Sequence, residues 1–191
     1  MRIHPVGGNI VDVAPSLAEA SVLWLRSGFN NRDRLGRYQL RERYPGDRLV
    51  PHDAVKGFNP RSRQPSIAGS FPVEPWRSET DLVFQVNPPD DHLQYVYTFA
   101  NPSDAAGCAD VQEIDVLVQR CLKRLAELAV RRIAMMHIPF ARRQQLENRQ
   151  ACDAESAQAM IASLLTWDER NPTLIEEVFL IDLENGFAQL F

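Results

Sequence analysis

Four segments in the C-terminal half of the chain leave little freedom in how it folds. Ile114, Leu117, Val118, Cys121, Leu122, Leu125, Leu128 and Ala129 recur at three- and four-residue steps, which lines them along one helix face. Asp110-Val-Gln-Glu113 has the spacing of a capping box and marks the start of that helix. Arg132–Met136 follows after a very short connection and is apolar beyond its first residue, as a strand covered on both faces must be. A second amphipathic helix runs from about Asp153 to Trp167 with Ala157, Met160, Ile161, Leu164 and Leu165 on its buried face, and Asn171-Pro172 closes it. Glu177–Asp182 is a further strand. Helix, strand, helix, strand with tight connections predicts right-handed crossovers onto a largely parallel sheet, so the fold class is α/β.

A chain of 191 residues is enough for one sizeable core and short for two, so a single domain over residues 1–191 is expected. The net charge of −4 argues against a dedicated nucleic-acid binder, which needs a basic face. The balance is uneven, however. Residues 32–63 hold nine basic side chains (Arg32, Arg34, Arg37, Arg41, Arg43, Arg48, Lys56, Arg61, Arg63) against four acidic ones (Asp33, Glu42, Asp47, Asp53), a local excess of +5. That excess suits an acidic partner. Cys108, Cys121 and Cys152 are odd in number and lack Cys-x-x-Cys spacing, which argues against a disulfide framework or zinc site and for a cytoplasmic location. No apolar run approaches the roughly 18 residues that span a bilayer, so no membrane association is expected.

The N-terminal half is less regular. Arg2–Val6 and Asn9–Val13 are β-prone runs separated by Gly7-Gly8, and Pro15 interrupts the second. Ser16-Leu-Ala-Glu19 is a capping-box pattern that opens a helix towards Leu25, and this reading is preferred to a buried strand over Ser21–Leu25. Residues 28–75 read as an irregular insertion. Leu35, Tyr38, Leu40 and Tyr44 have helical spacing there, Pro45-Gly46 is a turn, and a short strand is expected around Ser66–Phe71. Asp81–Val86 and Gln94–Phe99 are strands, and the turn chemistry of Asn87–Asp91 between them suits an antiparallel hairpin.

Several of these stretches resemble the macrodomain family. The resemblance is carried by Tyr95-Val-Tyr-Thr-Phe-Ala-Asn-Pro102, Gln119-Arg-Cys-Leu122, Leu125–Ala134 and Asn171–Asp182, with a shorter match at Val6-Gly-Gly-Asn-Ile10. It is best over residues 94–191 and absent between the two parts. It implies a three-layer α/β/α sandwich with a mixed, centrally parallel sheet, and binding or hydrolysis of ADP-ribose derivatives. It also shows three departures. The family's adenine-reading aspartate falls on Asn9, which offers no ionised acceptor. No Asn-Ala-Ala-Asn segment is present to hold the distal ribose. Where the family has a glycine-rich phosphate loop, this chain has His137-Ile-Pro-Phe-Ala-Arg-Arg-Gln-Gln-Leu146, in which Pro139 removes a donor and bulky side chains occupy the place of a diphosphate.

Ligands of open α/β sheets gather beyond the C-terminal ends of strands. The candidate ligand-binding residues are therefore Asn9, Ile10, His137, Phe140, Arg142 and Arg143, with an anion held by side chains, Arg149 among them, rather than by loop amides. Runs of exposed charge are more often plain solvated surface, with these arginines paired to Glu147, Asp153 or Glu155.

Other chemistries find no constellation. His4, His52, His92 and His137 have no metal-ligand spacing, so no metal and no cofactor is expected. Ser156 and Ser163 lack a nucleophile elbow, and the pairs Glu176-Glu177 and Asp90-Asp91 have the character of surface and turn residues. Cys121, Trp24 and Trp167 read as core, whereas Trp76 and Phe140 lie in irregular segments and are candidates to stack on a ligand. No catalytic residue can be assigned. The expected function is a non-catalytic protein that takes a nucleotide-like or other anionic ligand, or a protein partner, in the cleft after Met136. The alternatives are a hydrolase of ADP-ribose linkages with a rebuilt site, and an arginine-rich module for an acidic protein or nucleic acid.

Overall fold

The helix, strand, helix, strand order expected of the C-terminal half is present in the computed structural model, which describes residues 1–23, 40, 42–45, 48–52, 81–98, 111–138 and 149–182. Strands β1 (Arg2–Gly7), β2 (Ala20–Leu23), β3 (Leu49–Pro51), β4 (Leu82–Asp90), β5 (Leu93–Thr98), β6 (Arg132–Met136) and β7 (Glu177–Asp182) form one sheet in the order β1-β7-β6-β2-β5-β4-β3. The first five strands of that order run parallel, while β4 and β3 join antiparallel at the far edge. Helix α1 (Ile10–Leu17) follows β1, α2 (Val111–Glu127) follows β5 and α3 (Arg149–Arg170) follows β6.

The side chains divide into two cores. On one face Ile114, Val118, Cys121 and Leu125 of α2, with Met160, Leu164 and Trp167 of α3, pack on Val22, Ile133, Met135, Val178 and Leu180. On the other face Ile10, Val11 and Ala14 of α1, with Leu40 and Tyr44, pack on Phe84, Val96, Ala134 and Ile181. Alternation along β6 assigns Ile133 and Met135 to one layer and Ala134 to the other, which is the period-two rule of a strand buried on both sides. The result is a three-layer α/β/α sandwich. Each fully buried aliphatic side chain contributes about 1.5–3 kcal/mol relative to exposure.

Local chemistry explains several boundaries. Helix α2 ends in a Schellman motif, with the Val130 N–H donating to the Leu125 carbonyl (3.1 Å) and the Ala129 N–H to the Ala126 carbonyl (3.0 Å). Ala129 there adopts φ +57°, the position glycine usually fills. The N–H groups of Arg2 and Gly8 donate to the carbonyls of Glu176, just before β7, and of Asp182, its last residue, so the even residues of β1 pair inward. Pro5 lies at an outward position and its missing N–H breaks no ladder bond.

Two assignments in the N-terminal half differ from expectation. Asn9–Val13 is not a strand: Asn9 caps α1, its Oδ1 accepting from the Val11 N–H (3.2 Å), and Asp12 follows in the first turn. Pro15 lies within this helix rather than ending it. Residues 20–23 are a strand rather than helix, because β2 is flanked by β5 and β6 and all four of its residues are buried. The residues of the supposed capping box work apart: Ser16 Oγ donates to the Val13 carbonyl (3.0 Å), and the Glu19 carboxylate accepts from the Arg131 N–H (2.7 Å) at the start of β6.

Smaller differences follow from packing. The β4–β5 hairpin forms, but β4 continues through Asn87-Pro88-Pro89-Asp90 and the turn contracts to Asp91-His92, with a register irregularity between Gln85 and Asp90. Leu165 is 51% exposed, because the buried stripe of α3 runs through Ser156, Met160, Ser163 and Trp167 instead. Within residues 28–75, Leu40 and Tyr44 are buried and the Tyr44 N–H donates to the Leu40 carbonyl (2.9 Å), the i to i+4 bond of a helical turn. Strand β3 is not legible in the sequence, since Pro51 disguises it. Proline is tolerated there because β3 is at an edge of the sheet. The strand expected around Ser66–Phe71, together with Trp24, Trp76 and Cys108, lies outside the described residues.

Candidate functional site

Parallel register brings the ends of β1, β7 and β6 to one edge of the sheet. Gly7 aligns with Asp182 and Met136 with Ile181; beyond them the Gly8 N–H donates to the Asp182 carbonyl (3.0 Å) and the His137 N–H to the Ile181 carbonyl (3.3 Å). Asn9-Ile10 and His137 therefore leave the same edge with only β7 between their strands, about 10 Å apart at the usual strand spacing. They are 128 positions apart in sequence, 137 − 9.

The turn from β1 into α1 depends on Gly8, whose φ is +137° and whose added Cβ would lie 3.2 Å from Val13 Cγ1. Asn9 comes next, and both ends of its amide are engaged: Oδ1 caps α1 and Nδ2 donates to Asp12 Oδ2 (3.0 Å). Ile10 is buried in the core beside Ala14, so its side chain supports the helix and only its backbone borders the edge. The exposed polar group of this corner is Asp12, which the sequence reading did not single out.

On the β6 side the chain turns inward immediately after His137. Ile138 is fully buried; its N–H donates to Met160 Sδ (3.4 Å) and its carbonyl accepts from the buried Ser156 Oγ. A serine and a methionine of α3 thus hold the segment where a glycine-rich loop would begin. Ser156 serves as a clamp, a role that no motif search for nucleophiles would find. Phe140, Arg142 and Arg143, as well as the side chain of Arg149, lie outside the described residues.

Two ionic clusters brace the sheet on either side. Arg43 Nε and the Tyr44 hydroxyl both donate to Asp90 Oδ2 (2.7 and 3.0 Å), and Arg43 also lies 3.9 Å from Asp12 Oδ1. Burial would raise the Asp90 pKa, but the hydrogen bonds from Arg43 and Tyr44 outweigh it and hold the carboxyl below its ordinary value. Burial and the bond to Asp90 push the Tyr44 phenol up to about 12. At the start of β4, Asp81 accepts from Arg120 through Nε and through a second guanidinium nitrogen (2.7 Å), and from the Tyr97 hydroxyl. Burial pushes up both the Tyr97 phenol and the thiol of the fully buried Cys121 beneath it.

The other histidines are dispersed: His4 stacks on Phe179 (ring centroids 5.0 Å apart), His52 meets Tyr95 edge-on and His92 lies in the hairpin turn. Trp167 is buried as expected. Among the described residues no helix is long and apolar enough to cross a membrane.

No family model matches the chain, and no curated protein matches it. Solved structures do match. The macrodomain of Mycobacterium tuberculosis DarG aligns with a TM-score of 0.52 at 12% identity over 93% of this chain and 96% of that one. A Trypanosoma brucei macrodomain in complex with ADP-ribose aligns at 0.53 and 10% identity over 98% of this chain and 67% of that one. A tomato leucine aminopeptidase variant aligns at 0.50 and 10% identity over 98% of this chain but only 35% of that one. At such identities the likeness concerns the fold alone. With its mixed sheet of seven strands and helices on both faces, this chain has a divergent macrodomain-like fold.

Proposed function

We propose that the protein binds a nucleotide-like anionic ligand, with ADP-ribose the first candidate, at the carboxyl edge of its parallel strands, and that it does so without catalysis. The observation that carries this reading is the register that brings the Gly8-Asn9-Ile10 turn and His137 to one edge of the sheet. Edges of this kind are where open α/β sheets take ligands. The structurally similar Trypanosoma brucei macrodomain holds ADP-ribose. In this reading His137, Phe140, Arg142 and Arg143 supply the ring stacking and positive charge that loop amides supply elsewhere. The absence of catalysis is proposed because the Asn9 amide is engaged in capping α1 and the sequence has no Asn-Ala-Ala-Asn segment.

Thermal unfolding with millimolar ADP-ribose, NAD or pyrophosphate tests the proposal. A ligand at one hundred times its Kd adds about 2.7 kcal/mol, and at about 2–4 °C per kcal/mol the midpoint rises by roughly 5–11 °C. His137→Ala should reduce that rise. An unchanged midpoint with all three compounds refutes ligand binding. Release of ADP-ribose from a modified protein refutes the non-catalytic part and favours the hydrolase.

A further inference from the structure

Strand β1 forms one edge of the sheet, and among the described residues its only strand neighbour is β7. An exposed strand edge is a template for pairing with another chain. Among the six residues of β1 only Arg2 and His4 have basic side chains and none has an acidic one, and both basic groups lie against Glu177 of β7, at 2.7 and 3.5 Å. The strand is six residues long and continuous in register from Arg2 against Glu177 to Gly7 against Asp182. These basic groups are directed to β7, so charge does little to protect the outer ladder.

The hydrogen-bond alternation shows what does. Arg2 and Gly8 donate inward to Glu176 and Asp182, so the N–H and C=O groups of the even residues face β7 and those of Ile3, Pro5 and Gly7 face outward. A strand added here needs a donor at every second residue. Pro5 removes the middle one and leaves the N–H groups of Ile3 and Gly7 four residues apart, roughly 13 Å. The pyrrolidine ring also occupies the position where an incoming carbonyl would approach. At an inward position proline would have cost a bond to β7; at position 5 it interrupts only the outer ladder.

We propose that Pro5 prevents β1 from pairing with the β1 strand of a second copy. The partner it excludes is specific. Two β1 edges meeting antiparallel about a twofold axis would extend the sheet across both copies, with position 5 at the centre of the shared ladder. The idea is independent of any ligand at the carboxyl edge.

The test is the solution mass of the parent chain, of 21.7 kDa, and of Pro5→Val between 10 µM and 1 mM, by light scattering after gel filtration. The parent should run as a monomer. Pro5→Val should move to twice that mass with rising concentration, and the amide introduced at position 5 should gain hydrogen-exchange protection as it does so. Pro5→Ala restores the donor with the smallest side chain; it should associate at least tenfold more strongly than the parent, and it serves if the valine variant does not fold. Two folded variants that stay monomeric at 1 mM would overturn the proposal, as would a parent that dimerises as strongly as they do.

Discussion

Removing the Arg120 guanidinium should destabilise the protein by about 2 kcal/mol, and the geometry sets that magnitude. Arg120 holds Asp81 with a two-pronged fork, while the Tyr97 hydroxyl donates to the same carboxylate. The Asp81 side chain is only 9% exposed, whereas that of Arg120 is 47% exposed. A fully exposed pair is worth about 0–1 kcal/mol, and breaking a buried one costs about 3–5 kcal/mol. With one partner buried and the other half in water, Arg120→Ala falls between these limits. For a chain of this size, about 2 kcal/mol lowers the unfolding midpoint by roughly 4–8 °C. Urea and thermal unfolding followed by circular dichroism would measure it. The double variant Arg120→Ala, Asp81→Asn should recover about 1–2 kcal/mol relative to the sum of the single changes, because the charge that Arg120 balances is removed together with it. A midpoint within 1 °C of the parent, or strictly additive changes, would show that the fork does not tie the start of β4 to α2.

Ala129→Gly should raise the midpoint by roughly 1–4 °C. An L-residue in the left-handed region costs about 1–2 kcal/mol, and the greater unfolded-state freedom of glycine returns about half of that; a lower midpoint would refute the strain at φ +57°. The Arg43, Tyr44 and Asp90 cluster should mark both ends of the pH profile. The folded-state pKa of Asp90 is lowered, so its contribution is present above its ordinary value and lost as pH falls through the lowered one. The folded-state pKa of Tyr44 is raised from 10.0 to about 12, so its contribution is complete below pH 10 and lost as pH rises through 12. Asp90→Asn should flatten the acid limb and Tyr44→Phe the alkaline one in pH-dependent unfolding. Unchanged limbs in both variants would remove the cluster from the account.

The candidate site was only partly legible in the sequence. His137 was placed by its position after an apolar strand, and Asn9 by the glycines before it. Their meeting at one edge is a matter of register between strands far apart in the chain. Asp12 is not legible in the same way, because nothing in the sequence says that Asn9 caps α1 through Oδ1 and binds the Asp12 carboxylate through Nδ2 while Asp12 itself stays exposed. Ser156 lacks a nucleophile elbow in the sequence, and its role is to hold Ile138, a contact that exists only once α3 lies against the end of β6.

The type and order of helices α2 and α3 and strands β5, β6 and β7 are legible in the sequence alone, from the helical apolar spacing of the two helices and the short apolar, β-branched or aromatic runs of the strands, although the bounds and full buried face of α3 are not. Residues 9–23 were decided by tertiary structure. Asn9–Val13 is as β-prone as a strand, yet the Gly8 turn and the Asn9 cap direct Ile10, Val11 and Ala14 onto the sheet as a helix. Ala20–Leu23 follows a passable capping box, yet it lies between two parallel strands that satisfy its backbone on both sides. Local propensity differs between such alternatives by a few tenths of a kcal/mol per residue. Two hydrogen-bonded neighbours and complete burial are worth several times that, and they exist only in the assembled sheet.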